Sequence, residues 1–182
     1  MPNRKERWLD KPEAQRGREA EIAVAKWMMR RGWHVVPSYD YAGLDHEKPP
    51  RLQGELKGYA IPDLDVSKDG ERRWLEVKWK ARPSPTYSSR LTCRKGIVPA
   101  HGIARRLVDQ YKEVQRITGT AVWIFVVEGE SGKWLCQKLD ELRAGKEWST
   151  ASALMGNMVF WPRDAFKIIL DAASALQSRA TP

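Results

Sequence analysis

The residues best suited to do chemistry lie between Pro62 and Lys78. They are Pro62-Asp63-Leu64-Asp65-Val66, a short polar turn, and Trp74-Leu75-Glu76-Val77-Lys78. Asp69-Gly70 between them is a strong hairpin signal. With those two residues as the loop, Lys68 faces Glu71, Ser67 faces Arg72, and Asp63 falls opposite Glu76. Side chains alternate between the faces of a strand, so Asp63, Glu76 and Lys78 converge on one face. Leu64, Val66, Leu75 and Val77 form the apolar reverse face. Two directly opposed carboxylates, about 5 Å apart at their Cβ atoms, repel each other unless a cation intervenes. Hard oxygen ligands suit Mg²⁺, and Lys78 would reach whatever such an ion binds. Asp65 shares the face but stands opposite Trp74, which separates it from Glu76 and ranks it second.

The plain alternative is a solvated charged face of an ordinary antiparallel pair. Two details count against it. A structural sheet favours opposite charges across a pair, not two acids, and a lysine follows the second acid at the spacing that keeps it on the same face.

Pro62-Asp63 followed by Glu76-Val77-Lys78 resembles the signature of the PD-(D/E)XK nuclease superfamily. The order of elements strengthens the resemblance: an acid-bearing helix, a strand, the Pro-Asp strand, the Glu-X-Lys strand, then a helix and a strand, from about Gly17 to Val127. Within that superfamily the chain looks most like the archaeal and phage Holliday junction resolvases. The resemblance implies an α/β fold with a restriction-endonuclease-like core, a central mixed β-sheet flanked by helices. It also implies Mg²⁺, with Mn²⁺ as a substitute, held by Asp63, Glu76, the Val77 carbonyl and Glu21. The catalytic set would be Asp63, Glu76, Lys78 and Glu21.

These residues must be positioned by their neighbours. A helix is expected from near Glu13 to Arg31, stopped by Gly32. Glu21 shares a face with Val24, Ala25 and Met28, and an acid on an apolar stripe needs a partner. Arg18, one turn earlier, is the structural candidate; the resemblance favours the metal site. Trp33 to Val36 reads as a strand. Residues 37–61, with Pro37, Gly43, Pro49, Pro50, Gly54 and Gly58, read as a long irregular loop facing substrate or a plain surface insertion.

After the hairpin, Lys80 continues the Lys78 face and suits a phosphate. Residues 82–100 read as a basic loop whose Arg90, Arg94 and Lys95 suit a nucleic-acid backbone. A helix is expected from His101 to about Gly119, with a cap-like role for His101. On it Gln110, Tyr111 and Gln115 are similar to the Gln and Tyr of related nucleases, although the spacing departs and a core Tyr with solvated glutamines is the simpler reading. Ala121 to Val127 is a continuous apolar run, a buried central strand. Lys133 to Gln137 suits an edge strand, Gly156 to Trp161 another, and Pro162-Arg163-Asp164 the start of a final helix ending near Ala175.

The expected organisation is a flexible tail over 1–12 and one domain over 13–182, with its core at about 17–127 and an extension over 128–182. The chain of 182 residues carries a formal charge of +9, which favours a polyanionic partner. Some of its nine tryptophans are candidates for stacking on bases. Two cysteines and three scattered histidines exclude a disulfide scaffold and a zinc site. There is no Gly-rich phosphate loop, no apolar run long enough for a membrane span, and no apolar leader after Met-Pro-Asn-Arg-Lys. A cytoplasmic setting, the host's for a phage protein, follows as the expectation.

The resulting expectation is a Mg²⁺-dependent endonuclease that hydrolyses phosphodiester bonds of branched DNA such as Holliday junctions, in recombination or repair, with a homodimer suiting paired cuts. Alternatives are an exonuclease, a flap or restriction-type nuclease with the same site, and a catalytically silent DNA-binding module.

Overall fold

The computed structural model describes residues 11–38, 51–53, 57–87, 97–144, 148–152 and 156–171. The helix expected at the start is α1, Pro12–Met29, with proline in its first turn. Its buried stripe of Ala20, Val24, Ala25 and Met28 packs on Leu64, Val66, Leu75 and Val77, the apolar reverse face of the hairpin. The chain reverses at Gly32, whose φ of +81° is the left-handed conformation glycine adopts at low cost. It enters β1, His34–Pro37. The hairpin is β4, Leu64–Lys68, and β5, Glu71–Lys80. Its register is that expected from the turn: Lys68 opposite Glu71, Ser67 opposite Arg72, Asp65 opposite Trp74. Asp69 and Gly70 both have positive φ, +49° and +80°, as a type I′ turn requires.

The central sheet is mixed and has six strands in the order β1-β4-β5-β8-β9-β12. Here β8 is Val122–Glu128, β9 is Lys133–Lys138 and β12 is Lys167–Asp171. β5 and β8 are parallel, so the chain must cross over between them. That crossover carries β6, Ser84–Tyr87, β7, Ile97–Ala104, and α2, Arg105–Thr118. α2 buries Val108, Tyr111 and Val114 against Ile124, Val126 and Leu135, on the side of the sheet away from α1. A short helix α3, Leu139–Ala144, follows β9.

Several expectations yield to pairing between distant segments. The region 37–61 contains a small hairpin of β2, Arg51–Gln53, and β3, Gly58–Ala60. Residues 101–104 are not the start of a helix. They end β7, because each pairs with β11, Gly156–Pro162. β6, β7 and β11, with β10, Trp148–Ser152, form a second, four-stranded sheet in the order β10-β11-β7-β6. β9 is not an edge strand, since β12 pairs with it. The expected final helix is one 3-10 turn, Arg163–Ala165, followed by that strand. Phe166 turns into the core and Lys167-Ile168-Ile169-Leu170 is rich in β-branched residues, so the ladder with β9 wins over the Pro-Arg-Asp helix-start signal.

Several of the described tryptophans pack within the fold. Trp74 and Trp161 are buried. Arg73 stands between Trp33 and Trp123, 4.5 Å and 4.7 Å from their ring centroids, Arg31 lies over Trp27 and Arg16 over Trp79. No helix among the described residues is long and apolar enough to cross a membrane.

Within the second sheet the pairing of β7 with β11 brings a close approach at Gly102, where a Cβ would lie 2.5 Å from the buried Phe160 ring. Gly102→Ala is expected to lower stability by about 1–3 kcal/mol, read as a fall in the urea midpoint without a change of slope.

Candidate active site

The hairpin ladder stops at Leu64–Leu75, and what replaces it builds the site. One residue beyond the ladder, Asp63 turns its carboxylate back onto β5 and accepts a hydrogen bond from the Val77 N–H at 2.7 Å. The Asp63 side chain thus does what the next backbone carbonyl would have done. Its own backbone is anchored by Ser38, just past β1. The Ser38 N–H donates to the Asp63 carbonyl at 2.7 Å, and the hydroxyl donates to the Pro62 carbonyl at 2.5 Å. Three residues upstream, the Ala60 N–H donates to Gln110 Oε1 of α2 at 2.7 Å. The Pro-Asp segment is therefore tied to two separate elements.

Glu76 is only 1% exposed. Its Oε2 accepts a hydrogen bond from the Tyr111 hydroxyl at 2.5 Å, and its Oε1 is ion-paired with Lys78. Asp63 is also buried, at 6% exposure. Burial, then the charge of Glu76, raise the Asp63 carboxyl well above the usual range, against the opposing pull of Lys78 and the Val77 N–H. Glu21 reaches the same cluster from α1. Burial pushes its pKa up to about 7; Lys78 opposes this, Glu76 adds to it, and Arg18 has a smaller opposing effect. Burial works against the Lys78 ammonium, but Glu76 and Asp63 overcome it and raise its pKa. Three acids and one lysine thus share a site in which each feels the others.

The donor chemistry fits a hard divalent cation. Among the described residues no three His, Cys, Asp or Glu side chains gather tightly enough to form a metal-holding group. Mg²⁺ needs fewer, because it commonly binds through one or two carboxylates and keeps several waters. Asp63, Glu76 and the Val77 carbonyl are oxygen donors of that kind, and a cation there would offset the burial and the Glu76 charge that raise Asp63 and Glu21.

The other candidates separate. Asp65, on the same face, is held by Arg72 through two hydrogen bonds of 2.9 Å and 2.6 Å. Tyr111 is buried and directed at Glu76, and Gln110 supports β3, so neither offers its polar group outward. Gln115 is not simply solvated: it accepts from the Val122 N–H and donates to Asp140. Lys80 lies beyond Lys78 on β5, half-buried. Arg90, Arg94 and Lys95 lie outside the described residues. His101 is not a cap but a buried residue of β7, 2.8 Å from Glu128. Sequence reasoning passed over Ser38 and the pairing of His101, Glu128 and Arg163. A polar residue just after the β1 pattern was a local sign of the first; the second joins residues far apart in the chain and left none.

The architecture can be set beside solved structures. Hjc, a Holliday junction resolvase from the archaeal hyperthermophile Archaeoglobus fulgidus, superposes with a TM-score of 0.52 at 12% identity, over 87% of this chain and 98% of that one. The two proteins share a fold. A nuclease from a fusselovirus aligns over 86% of this chain and 84% of its own, with a TM-score of 0.42 and 14% identity. No family model matches the sequence, and no curated protein matches it. The resemblance to Hjc covers the α/β architecture with its central mixed sheet flanked by helices, as the element order had implied.

Two predictions follow from the geometry. Tyr111→Phe removes the donor to a buried carboxylate oxygen and is expected to cost about 1–3 kcal/mol, measured by chemical denaturation. The acid cluster also sets a pH dependence. An acid whose folded pKa is raised binds more protons folded than unfolded, so its contribution to stability falls as pH rises from the unfolded to the folded value. For Glu21 that window runs from 4.5 to about 7. In metal-free buffer Glu21→Gln is expected to gain melting temperature over the wild type at pH 7.5, and to gain less at pH 4.5.

Proposed function

We propose that this protein is a metal-dependent deoxyribonuclease acting as an endonuclease on branched DNA such as Holliday junctions. The observation that carries the reading is the convergence of Asp63, Glu76 and Glu21 around Lys78 at the end of a hairpin ladder. The fold shared with Hjc supports it, as does the formal charge of +9. The reading includes Mg²⁺ as the resident ion, with Mn²⁺ able to replace it. It includes a homodimer able to make paired cuts, a cytoplasmic setting, and a role in recombination or repair. One domain over 13–182 suits it.

In this reading Asp63, Glu76 and the Val77 carbonyl hold the ion, and Glu21 supports that shell from α1. Bound there, Mg²⁺ supplies Lewis acidity at the scissile phosphate and lowers the pKa of a coordinated water. The chain's own part is mostly positioning. The Val77 N–H orients the Asp63 carboxylate, and the Tyr111 hydroxyl fixes Glu76 Oε2. Lys78, kept protonated by the surrounding carboxylates, offsets negative charge building on the phosphate and orients the attacking water. Being held as a cation, it suits electrostatic stabilisation better than proton abstraction.

The test is cleavage of labelled four-way junction, flap, linear duplex and single strand with Mg²⁺ or Mn²⁺. Symmetric nicks in the junction are expected. Asp63→Ala and Glu76→Ala are expected to lose cleavage by about a hundredfold or more while still binding DNA. Lys78→Ala is expected to lose cleavage and keep metal binding. Cutting only at ends or flaps would discard junction specificity and keep the nuclease. Binding without cutting any substrate would favour a silent DNA-binding module.

A further inference from the structure

Lys80 follows Lys78 by two residues and points to the same face of β5. Its partner in the parallel ladder is Glu128 of β8, so a carboxylate stands beside it on that face. A half-buried ammonium is expected to pair with such a neighbour, yet among the described residues Lys80 makes no ion pair or hydrogen bond through its ammonium.

The reason lies in what holds Glu128. Arg163, from the 3-10 turn, grips both its oxygens in a fork, Nε to Oε1 at 2.7 Å and Nη2 to Oε2 at 2.8 Å. His101 Nε2 lies 2.8 Å from Oε1, and the Ser131 hydroxyl donates to Oε2 at 2.5 Å. Burial works to raise the Glu128 carboxyl, but Arg163, Ser131 and His101 outweigh it and hold its pKa at about 2. His101 is held below its ordinary pKa, chiefly by burial, so it serves as a neutral donor. Glu128 is saturated. Burial, and after it the like charge of Lys78, itself matched by Glu76, lower the Lys80 pKa. A cation is thus left unmatched about 7 Å along the strand from the site lysine, a spacing close to that of neighbouring phosphates on one nucleic-acid strand.

We propose that Lys80 holds the backbone phosphate next to the scissile one, and that the His101–Glu128–Arg163 cluster keeps the adjacent carboxylate off it. This rests on the reading that a DNA strand passes along the end of β5, and it names how that strand is registered on the site.

The test is DNA binding by metal-free protein across a salt series, which needs no cleavage. Lys80→Gln is expected to weaken four-way junction and duplex binding about three- to tenfold and to flatten the slope of log K against log salt by about 0.9. Lys80→Arg is expected to restore both. Arg163→Gln frees Glu128 to capture Lys80, so it should weaken binding similarly, and the Lys80→Gln/Arg163→Gln double variant should be no weaker than either single. Melting temperatures check that each variant is folded. Unchanged affinity and slope in Lys80→Gln would overturn the proposal, and so would additive losses in a folded double variant. Thermal stabilisation by inorganic phosphate that needs Lys80, with DNA binding indifferent to it, would assign a free anion and also overturn it. A wild type that binds with the expected slope but cuts nothing would leave this proposal standing and remove the nuclease.

Discussion

Like charges buried together at the end of one hairpin are the constraint on which the rest of this molecule turns. Asp63 and Glu76 are nearly inaccessible to water, and Glu21 adds a third acid from α1. One lysine matches one carboxylate. An isolated domain has little reason to bury such an arrangement, because desolvation and mutual repulsion both oppose it. The consequence is an Asp63 carboxyl raised well above its usual range and a Glu21 carboxyl raised to about 7, where a change of pH decides its charge.

Much of the remaining structure holds that cluster in place. The type I′ turn sets the register that puts Asp63 within reach of Val77. Ser38, just past β1, and Gln110 of α2 fasten the segment leading into it. Tyr111 spans from α2 to Glu76, tying the helix position to the carboxylate orientation. α1 does two tasks with one stripe: Ala20, Val24, Ala25 and Met28 seal the reverse face of the hairpin, and Glu21 beside them meets the site. The second sheet extends the same polar row, since β7 and the turn after β11 bring His101 and Arg163 onto Glu128.

How far these features could be read in the chain tracks how local they are. The hairpin is decided within a few residues by Asp69-Gly70 and an alternating pattern, and its register matches expectation from Lys68–Glu71 to Leu64–Leu75, while the expected Asp63–Glu76 pair lies beyond the ladder. The proline start of α1 with the Gly32 stop after it, and the continuous apolar run of β8, are signals of the same local kind. The failures are non-local. His101 to Ala104 reads as a helix start until β11 is known to lie beside it. Pro162-Arg163-Asp164 carries a good helix-start signal, overridden by pairing between β12 and β9. The convergence of Asp63, Glu76 and Lys78 was legible because all three sit on one hairpin. The saturation of Glu128 was not, because its partners come from β7, the loop after β8 and the turn after β11.

The central claim is that the buried acids form a cation site, and the most direct measurement is calorimetric titration of the protein with Mn²⁺ and Mg²⁺ near pH 6.5 in buffers of different ionisation enthalpy. Glu21, whose pKa is raised to about 7, must release protons as the ion enters. The account predicts saturable binding whose heat varies with the buffer, lost in Glu76→Gln and Asp63→Asn while both variants stay folded. Binding that is absent, or that is unchanged by both substitutions, would contradict it.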